Sequence, residues 1–325
     1  MKKFLIIMAS LLIIIFAYLY INKEKDTNLE KIKVAEVTHS MFYAPLYVAL
    51  EQGYFKEAGL DVEIILTSGA DKVSAAVLSN DTQIGFAGPE SAIYVYKNGE
   101  EDYLVTFAGL TKRDGQFIVS REKIEDFKIE DLYNKEVLVG RKGGMPMLNF
   151  VNGVKKAEKD IDKINVNTSI DFASLSGTFI SGVGDFVNLF EPNALKLESE
   201  GLGYVVGSVG QISGEMPYTA FYTKKSYLEN NKDNIKKFNK AINKGLEYVQ
   251  THNENEVAEV ISKQFPDNSL NDIATIVKRY KESDSWLNNT TINEDIYKNL
   301  EDIMIDNNLL DNYVDFNKLV INLNE

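Results

Sequence analysis

Short β-branched and aromatic runs alternate with amphipathic stretches from Lys31 onward. This alternation is typical of an α/β protein in which helices cover a largely parallel sheet. The elements predicted for the first cycle are the strands 32–37, 62–66, 83–86 and 103–108 and the helices 44–52, 70–78 and 89–96.

A second cycle with the same order begins near Arg121. Its predicted elements are the strands 136–140, 185–189 and 204–206, a strand near Val166, the helices 146–157 and 192–200, and a short helix from Ser176. A return strand at 219–222 and amphipathic helices complete the chain. We therefore expect two lobes joined by two crossovers, near 110–121 and 208–219. Lobe 1 comprises 28–115 and 215–325, and lobe 2 comprises 116–214.

The chain begins with an apolar run at 4–21 that follows Lys2 and Lys3. Eighteen residues are long enough to span a bilayer, and the run lacks a clear small-residue cleavage site. Since the chain has no cysteine, neither a lipidated cysteine nor a disulfide is available. We predict an uncleaved membrane anchor and linker at 1–27, with the remainder outside the cell membrane; a removed signal peptide is the alternative.

Charge and residue usage narrow the functional classes. The formal net charge of −13 disfavours nucleic acid as a partner. With no cysteine and only His39 and His252, we expect no structural metal site and no cofactor. The sequence also lacks a P-loop and a catalytic triad order, so we predict no catalytic residues.

Four of the six prolines fall at the predicted first turn of a helix that follows a strand. They are Pro45, Pro89, Pro146 and Pro192, two in each lobe. Open α/β sheets bind ligands at such carboxyl ends of strands. Each corner by itself has a purely structural explanation, but four corners that face one another would form a binding cleft.

The sequence around these corners supplies backbone N–H groups, aromatic walls and polar side chains suited to a small ligand. The predicted ligand-binding residues at these corners are Ser40, Phe42, Tyr43, Gly88, Glu90, Ser91, Gly143, Gly144, Met145 and Glu191. Trp286 is predicted to pack rather than to stack on a ligand.

Two stretches, FYAPLYVA at 42–49 and GYFKEAGLDV at 53–62, carry a family resemblance. Together with the turn at 143–146, the Glu191-Pro192 corner and 217–219, they make the chain similar to the binding proteins for nitrate, sulfonates, taurine and thiamine-pyrimidine precursors. The resemblance implies a type II periplasmic-binding-protein fold with two lobes and a two-pass hinge. It also implies delivery of the ligand to an ABC permease driven by a cytoplasmic ATPase. We expect the protein to be a monomer.

The resemblance leaves the ligand open. A sulfonate would use the glycine turns, Ser91, Thr178 and Arg113, Arg141 or Lys142 as donors. An aminopyrimidine would use Phe42, Tyr43 or Tyr218 as walls, with Glu90 or Glu191 accepting from its amino groups. The two carboxylates favour a neutral or amino-bearing ligand.

Two further functions stand beside import. A surface domain with this fold could sense the same ligand and signal to another membrane protein. An enzyme is also possible by analogy with the fungal pyrimidine-forming synthases that share the fold, but those carry a cysteine-rich iron motif that this chain lacks.

Overall fold

A computed structural model describes residues 29–67 and 69–323. Within these residues the chain forms two five-stranded sheets flanked by helices. The predicted anchor at 4–21 lies outside the described residues. Among the helices that the structure does describe, none is long and apolar enough to cross a membrane.

The first sheet has the strand order β2-β1-β3-β10-β4. Its strands are β1 (Glu30–Glu36), β2 (Leu60–Leu66), β3 (Ile84–Ala87), β4 (Leu104–Thr111) and β10 (Thr219–Lys224). β1 pairs in parallel with β2 and β3, whereas β10 runs antiparallel between β3 and β4. The return strand predicted at 219–222 therefore joins the sheet built by the first part of the chain.

The second sheet has the order β7-β6-β8-β5-β9. Its strands are β5 (Phe117–Ser120), β6 (Glu136–Leu138), β7 (Asn165–Asn167), β8 (Phe186–Leu189) and β9 (Tyr204–Ser208). The pairs β6–β7 and β6–β8 are parallel, and β5 is antiparallel to both β8 and β9. β5 was not predicted, because its four residues lie inside the segment assigned to a crossover.

The helices cover the sheets and form the C-terminal part of lobe 1. They are α1 (Ala44–Glu51), α2 (Tyr54–Glu57), α3 (Ala70–Leu78), α4 (Glu90–Lys97), α5 (Met145–Lys156), α6 (Leu175–Ile180), α7 (Asn193–Ser199), α8 (Val209–Ser213), α9 (Lys225–Asn230), α10 (Lys232–Thr251), α11 (Glu254–Ile261), α12 (Leu270–Glu282), α13 (Glu294–Asp306) and α14 (Phe316–Leu319). Helices α2 and α8 are each about one turn long and were not predicted.

The chain passes between the sheets twice, from β4 to β5 and from β9 to β10. The predicted lobe boundaries at 115/116 and 214/215 fall inside these crossovers and stay predictions. Both crossovers are held by charge pairs: Lys112 lies 2.8 Å from Asp284 and Arg113 lies 3.2 Å from Glu215. We call the two crossovers, residues 112–116 and 209–218, the two-pass hinge.

Candidate ligand-binding cleft

Four strand-to-helix corners, two from each sheet, form the candidate site. The strands that precede them are β1, β3, β6 and β8, and the helices that follow are α1, α4, α5 and α7. Proline stands in the first turn of α1 and α5 and caps α4 and α7. The carboxyl ends of these strands thus present helix beginnings to the opposite lobe, as predicted.

The first corner contacts the fourth across the two lobes. The rings of Phe42 and Phe190 lie 5.6 Å apart between centroids, and Ser40 Oγ donates to the carbonyl oxygen of Glu191 at 3.1 Å. Burial raises the pKa of Glu90 at the second corner, and the Arg141 guanidinium at the third corner lowers it by a smaller amount. The second and third corners are therefore within electrostatic range of each other. The four corners are therefore gathered at one interface between the lobes.

Aromatic rings surround Phe42 on several sides. Its centroid lies 5.1 Å from Tyr280, 5.4 Å from Tyr43 and 5.9 Å from Tyr218. Trp286 is buried and donates its indole N–H to the Phe42 carbonyl at 2.8 Å, which confirms a packing role. Ring contacts of this kind fix the wall of a binding site at low entropic cost.

Gly115, in the first crossover, permits this arrangement. A Cβ at that position would lie 2.6 Å from the Phe42 ring, closer than non-bonded carbon atoms approach. The ring therefore packs directly on the hinge backbone.

The Glu90 carboxyl is folded back over Gly88. A Cβ on Gly88 would lie 2.0 Å from Glu90 Oε2, so only glycine leaves room for this conformation. Glu90 is 8% exposed, and Oε2 has no hydrogen-bond partner among the described residues. Burial raises the pKa of Glu90 to about 7, because the charged form loses its hydration. Such an acceptor is available to a ligand.

Asp114 is a second buried acid, and it was not predicted. It is 1% exposed, and its Oδ1 accepts the N–H of Gln116 at 2.8 Å. The Tyr218 hydroxyl lies beside this carboxyl, yet Oδ2 makes no hydrogen bond of standard geometry within the described part of the chain. Burial raises the pKa of Asp114 to about 8.

Glu90, Asp114, Tyr43 and Tyr218 share one electrostatic environment. Burial raises the pKa of Tyr218 well above its usual value, and the charges of Asp114, Tyr43 and Glu90 add to that effect. Burial likewise raises the pKa of Tyr43, with contributions from Glu90 and Asp114. We call these four residues the acidic cluster. The position of Asp114 in a crossover was the only sequence signal for it, since a crossover passes close to an interlobe site.

Glu191 does not offer a free acceptor. Its N–H donates to Tyr280 Oη at 3.2 Å, its carbonyl accepts from Ser40, its Oε1 accepts from Arg279 at 2.7 Å and its Oε2 accepts the N–H of Leu195 at 2.7 Å. Arg279 of α12 also pairs with Glu198 of α7. Because Arg279 and both glutamates belong to opposite lobes, we call this group the interlobe latch. The predicted contact between Glu191 and a ligand has no support in this arrangement.

The other predicted residues divide between the cleft and its surroundings. Ser91 is buried beside the Tyr222 hydroxyl. The turn at Gly143, Gly144 and Met145 begins α5, with Gly143 at a φ of 77°.

Two predicted donors lie elsewhere. The Arg113 guanidinium is engaged by Glu215 and Asp284 in the two-pass hinge. Thr178 lies on α6, where its carbonyl accepts from Ser181 Oγ at 2.7 Å. Among their contacts within the described residues, none joins either side chain to the acidic cluster.

A metal site is not evident in the described structure: within 29–67 and 69–323, no group of three or more His, Asp or Glu side chains could hold an ion.

Behind the first corner, His39 contacts the buried side chain of Glu36. His39 Nδ1 lies 3.2 Å from Glu36 Oε2 and Nε2 lies 2.9 Å from the carbonyl of Gln264, so both ring nitrogens face acceptors. Tyr47 Oη donates to the other Glu36 oxygen and also lies 3.3 Å from the N–H of Ser40. The hydrogen bond to Glu36 raises the pKa of His39, although burial opposes it.

This network predicts a pH-dependent stability. The raised pKa of His39 means that its contribution is fully present below the unfolded value of about 6.5 and is lost as pH rises through the folded value. We expect His39→Gln to reduce the fall in unfolding free energy above about pH 6.5, measured by urea denaturation at several pH values. An identical pH dependence in both proteins would contradict this role of His39.

The chain is similar in sequence to one family model and to two curated proteins. Residues 41–256 match the family model described as NMT1/THI5 like. The chain is 42% identical over 301 residues to the Bacillus subtilis protein YtlA, which carries the name of a binding protein; the match covers 91% of this chain and 89% of that protein. A Haemophilus influenzae protein that carries the name of a thiamine biosynthesis protein is 27% identical over 166 residues, which are 50% of this chain and 52% of that protein.

The fold has solved counterparts. The periplasmic aliphatic sulphonate binding protein SsuA of Escherichia coli superimposes with a TM-score of 0.68 at 15% identity, over 89% of this chain and 97% of that one. This likeness shows the two-lobed periplasmic-binding-protein fold. The family model and the Bacillus subtilis relative confirm the family resemblance found in the sequence. The chain belongs to the NMT1/THI5-like family.

Proposed function

We propose that the protein is the extracytoplasmic solute-binding component of an ABC importer and that it captures a small, amino-bearing heteroaromatic nutrient between its lobes. One observation carries the choice of ligand. Two buried acids lie next to a wall of aromatic rings: Glu90 Oε2 has no hydrogen-bond partner within the described structure, and Asp114 is contacted by neutral groups, the Tyr218 hydroxyl and the Gln116 N–H.

The chemistry of this cleft matches a flat ring that donates hydrogen bonds. The rings of Phe42, Tyr43, Tyr218 and Phe190 can contact the faces of a heteroaromatic ligand. Carboxyl oxygens accept from amino groups, and a buried acceptor left without a donor is costly. A sulfonate presents only acceptors, so it has no donor for Glu90 Oε2, and its negative charge would be repelled once either acid ionises above its raised pKa. The name of the Haemophilus influenzae relative agrees with a thiamine-pyrimidine type of ligand.

Capture follows from contacts made by both lobes at once. A ligand at the acidic cluster contacts lobe 1 through Glu90 and Phe42 and lies beside Phe190 of lobe 2. Such contacts favour the closed form over the open form, which the permease then distinguishes. In this proposal the apolar run at 4–21 anchors a monomer to the outer face of the cell membrane, and a cytoplasmic ATPase drives release through the permease.

The ligand can be identified directly. Freshly purified protein is denatured and the released small molecules are analysed by mass spectrometry. Calorimetry then compares a panel of aminopyrimidines with taurine and alkanesulfonates. Binding of aminopyrimidines alone would support the proposal, whereas binding of sulfonates alone would overturn it.

Glu90→Gln tests the polar contact in the cleft. Hydrogen bonds to charged groups contribute about 1.5–3 kcal/mol, so we expect aminopyrimidine affinity to fall roughly tenfold or more in calorimetry. The raised pKa of Glu90 means that its ionisation opposes folding as pH rises from the unfolded value toward about 7. The same variant should therefore unfold at higher urea concentration at pH 8.

Glu100→Gln, an exposed acid just beyond the same helix, serves as the matched control. It should alter neither affinity nor stability. Unchanged affinity in Glu90→Gln would remove Glu90 from the site.

A further inference from the structure

Asp114 has no cation to balance its charge within the described residues, although two basic residues precede it. The side chains of Lys112 and Arg113 are directed to Glu215 and Asp284, at distances of 2.8–3.5 Å. Arg121, the next basic residue along the chain, donates to the carbonyls of Phe179, Val183 and Gly184. The two basic side chains of the hinge therefore pair with Glu215 and Asp284 and not with Asp114.

The groups that contact the Asp114 carboxyl among the described residues are neutral: the Tyr218 hydroxyl and the backbone N–H of Gln116. The charges of Asp114 and Glu90 both act on Tyr218 and Tyr43, so the two acids share one environment. On the lobe 2 side, Arg141 is exposed and interacts with Glu90 and Tyr94. An ionised buried carboxylate without a cation is costly, so Asp114 at 1% exposure keeps its proton unless a ligand supplies a positive charge.

We infer that the ligand binds as an organic cation, an amino-bearing heteroaromatic compound whose positive charge is neutralised by Asp114 at the hinge while its ring packs on Phe42. This inference rests on the proposed function and narrows it. Tyr218 is a positioning residue here, because its hydroxyl lies beside the Asp114 carboxyl. Glu90 then accepts from a second donor on the ligand.

The acidic cluster makes capture pH-dependent. In the unliganded protein Asp114 holds its proton up to about pH 8, because burial raises its pKa. A cation favours the ionised carboxylate, so its binding expels that proton. Affinity for a cation that keeps its charge should therefore increase from pH 6 to pH 8, with net proton release when calorimetry is repeated in buffers of different ionisation enthalpy.

A matched pair of probes tests the charge itself. 4-Amino-5-(aminomethyl)pyrimidine carries an ammonium group near neutral pH, and 4-amino-5-(hydroxymethyl)pyrimidine is its neutral counterpart of nearly the same shape. We expect the ammonium compound to bind about tenfold more tightly or better to the wild-type protein, as a charge-assisted hydrogen bond requires. Equal binding of both probes, or a preference for the alcohol, would overturn the inference and leave the proposed function standing.

Asp114→Asn assigns the effect to this residue. Asparagine keeps the oxygen that accepts from Gln116, and removal of a buried acid should leave the unfolding midpoint at pH 8 unchanged or higher. The preference for the ammonium probe should disappear in this variant, whereas Glu90→Gln should weaken both probes and retain the preference. A preference that persists in Asp114→Asn would overturn the role of Asp114. If neither probe binds the wild-type protein and the panel of aminopyrimidines fails too, the proposed function falls with it.

Discussion

Arg279→Gln is expected to favour the open form and to weaken ligand binding by about 2–5 kcal/mol, mainly through faster dissociation. In the structure Arg279 pairs with Glu191, whose side chain is fully buried, and with Glu198 as well. Without the guanidinium, closure would bury the Glu191 carboxylate unpaired, which is strongly unfavourable. Opening lets water solvate that carboxylate and relieves the penalty.

Two measurements check this expectation. X-ray scattering should show a larger radius of gyration for the variant than for the wild-type protein without ligand, and stopped-flow mixing should show the faster dissociation. Lys278→Gln is the matched control, since Lys278 precedes Arg279 on α12 and its one ion pair among the described residues is with Glu282, at 3.8 Å on the surface. Such exposed pairs contribute about 0–1 kcal/mol. Equal compactness and equal dissociation rates in all three proteins would show that the latch does not govern closure.

Gly245→Ala is expected to destabilise the fold by about 1–3 kcal/mol, the usual range for overpacking, or more. A Cβ on Gly245 of α10 would lie 2.1 Å from the carbonyl oxygen of Pro45, which is backbone at the first corner and cannot rotate away. α1 and α10 would have to separate, and the corner that carries Phe42 and Tyr43 would move with α1. We therefore expect weaker ligand binding together with the loss of stability.

Gly177→Ala provides the control for this substitution. Gly177 lies in α6 with nothing within 4 Å of an added Cβ, so alanine there should be neutral or stabilise the protein by about 0.5–1 kcal/mol. Urea denaturation followed by circular dichroism measures both variants. Stability of Gly245→Ala equal to that of the wild-type protein would mean that the α1–α10 contact is more adaptable than its geometry indicates.

The order of elements was readable from the chain because hydrophobic periodicity is a local property. β1, α1 and β10 appear within one or two residues of their predicted bounds, and the proline corners follow the predicted strands. β5 was not predicted, because a run of four buried residues has no distinctive hydrophobic period. Its place between β8 and β9 depends on partners 66 or more residues away in the chain.

The residues of the candidate site were predictable only in part. Phe42, Tyr43 and Glu90 were predicted from their corners and Tyr218 from the family resemblance, and the structure gathers them. Glu191 was predicted on identical grounds, but its carboxylate is occupied by Arg279, a residue 88 positions later in the chain. Asp114 followed two basic residues and gave no sign of burial, because nothing local reveals that their charges are neutralised by Glu215 and Asp284.

The sequence by itself determined the family, the two-cycle α/β order and the corners where a ligand can bind, since these depend on composition, local periodicity and short motifs. Only the tertiary structure decided which carboxyl groups remain available and which hold the lobes together. The physical reason is that hydration and ion pairing depend on what surrounds a side chain in space, and those neighbours come from distant parts of the chain.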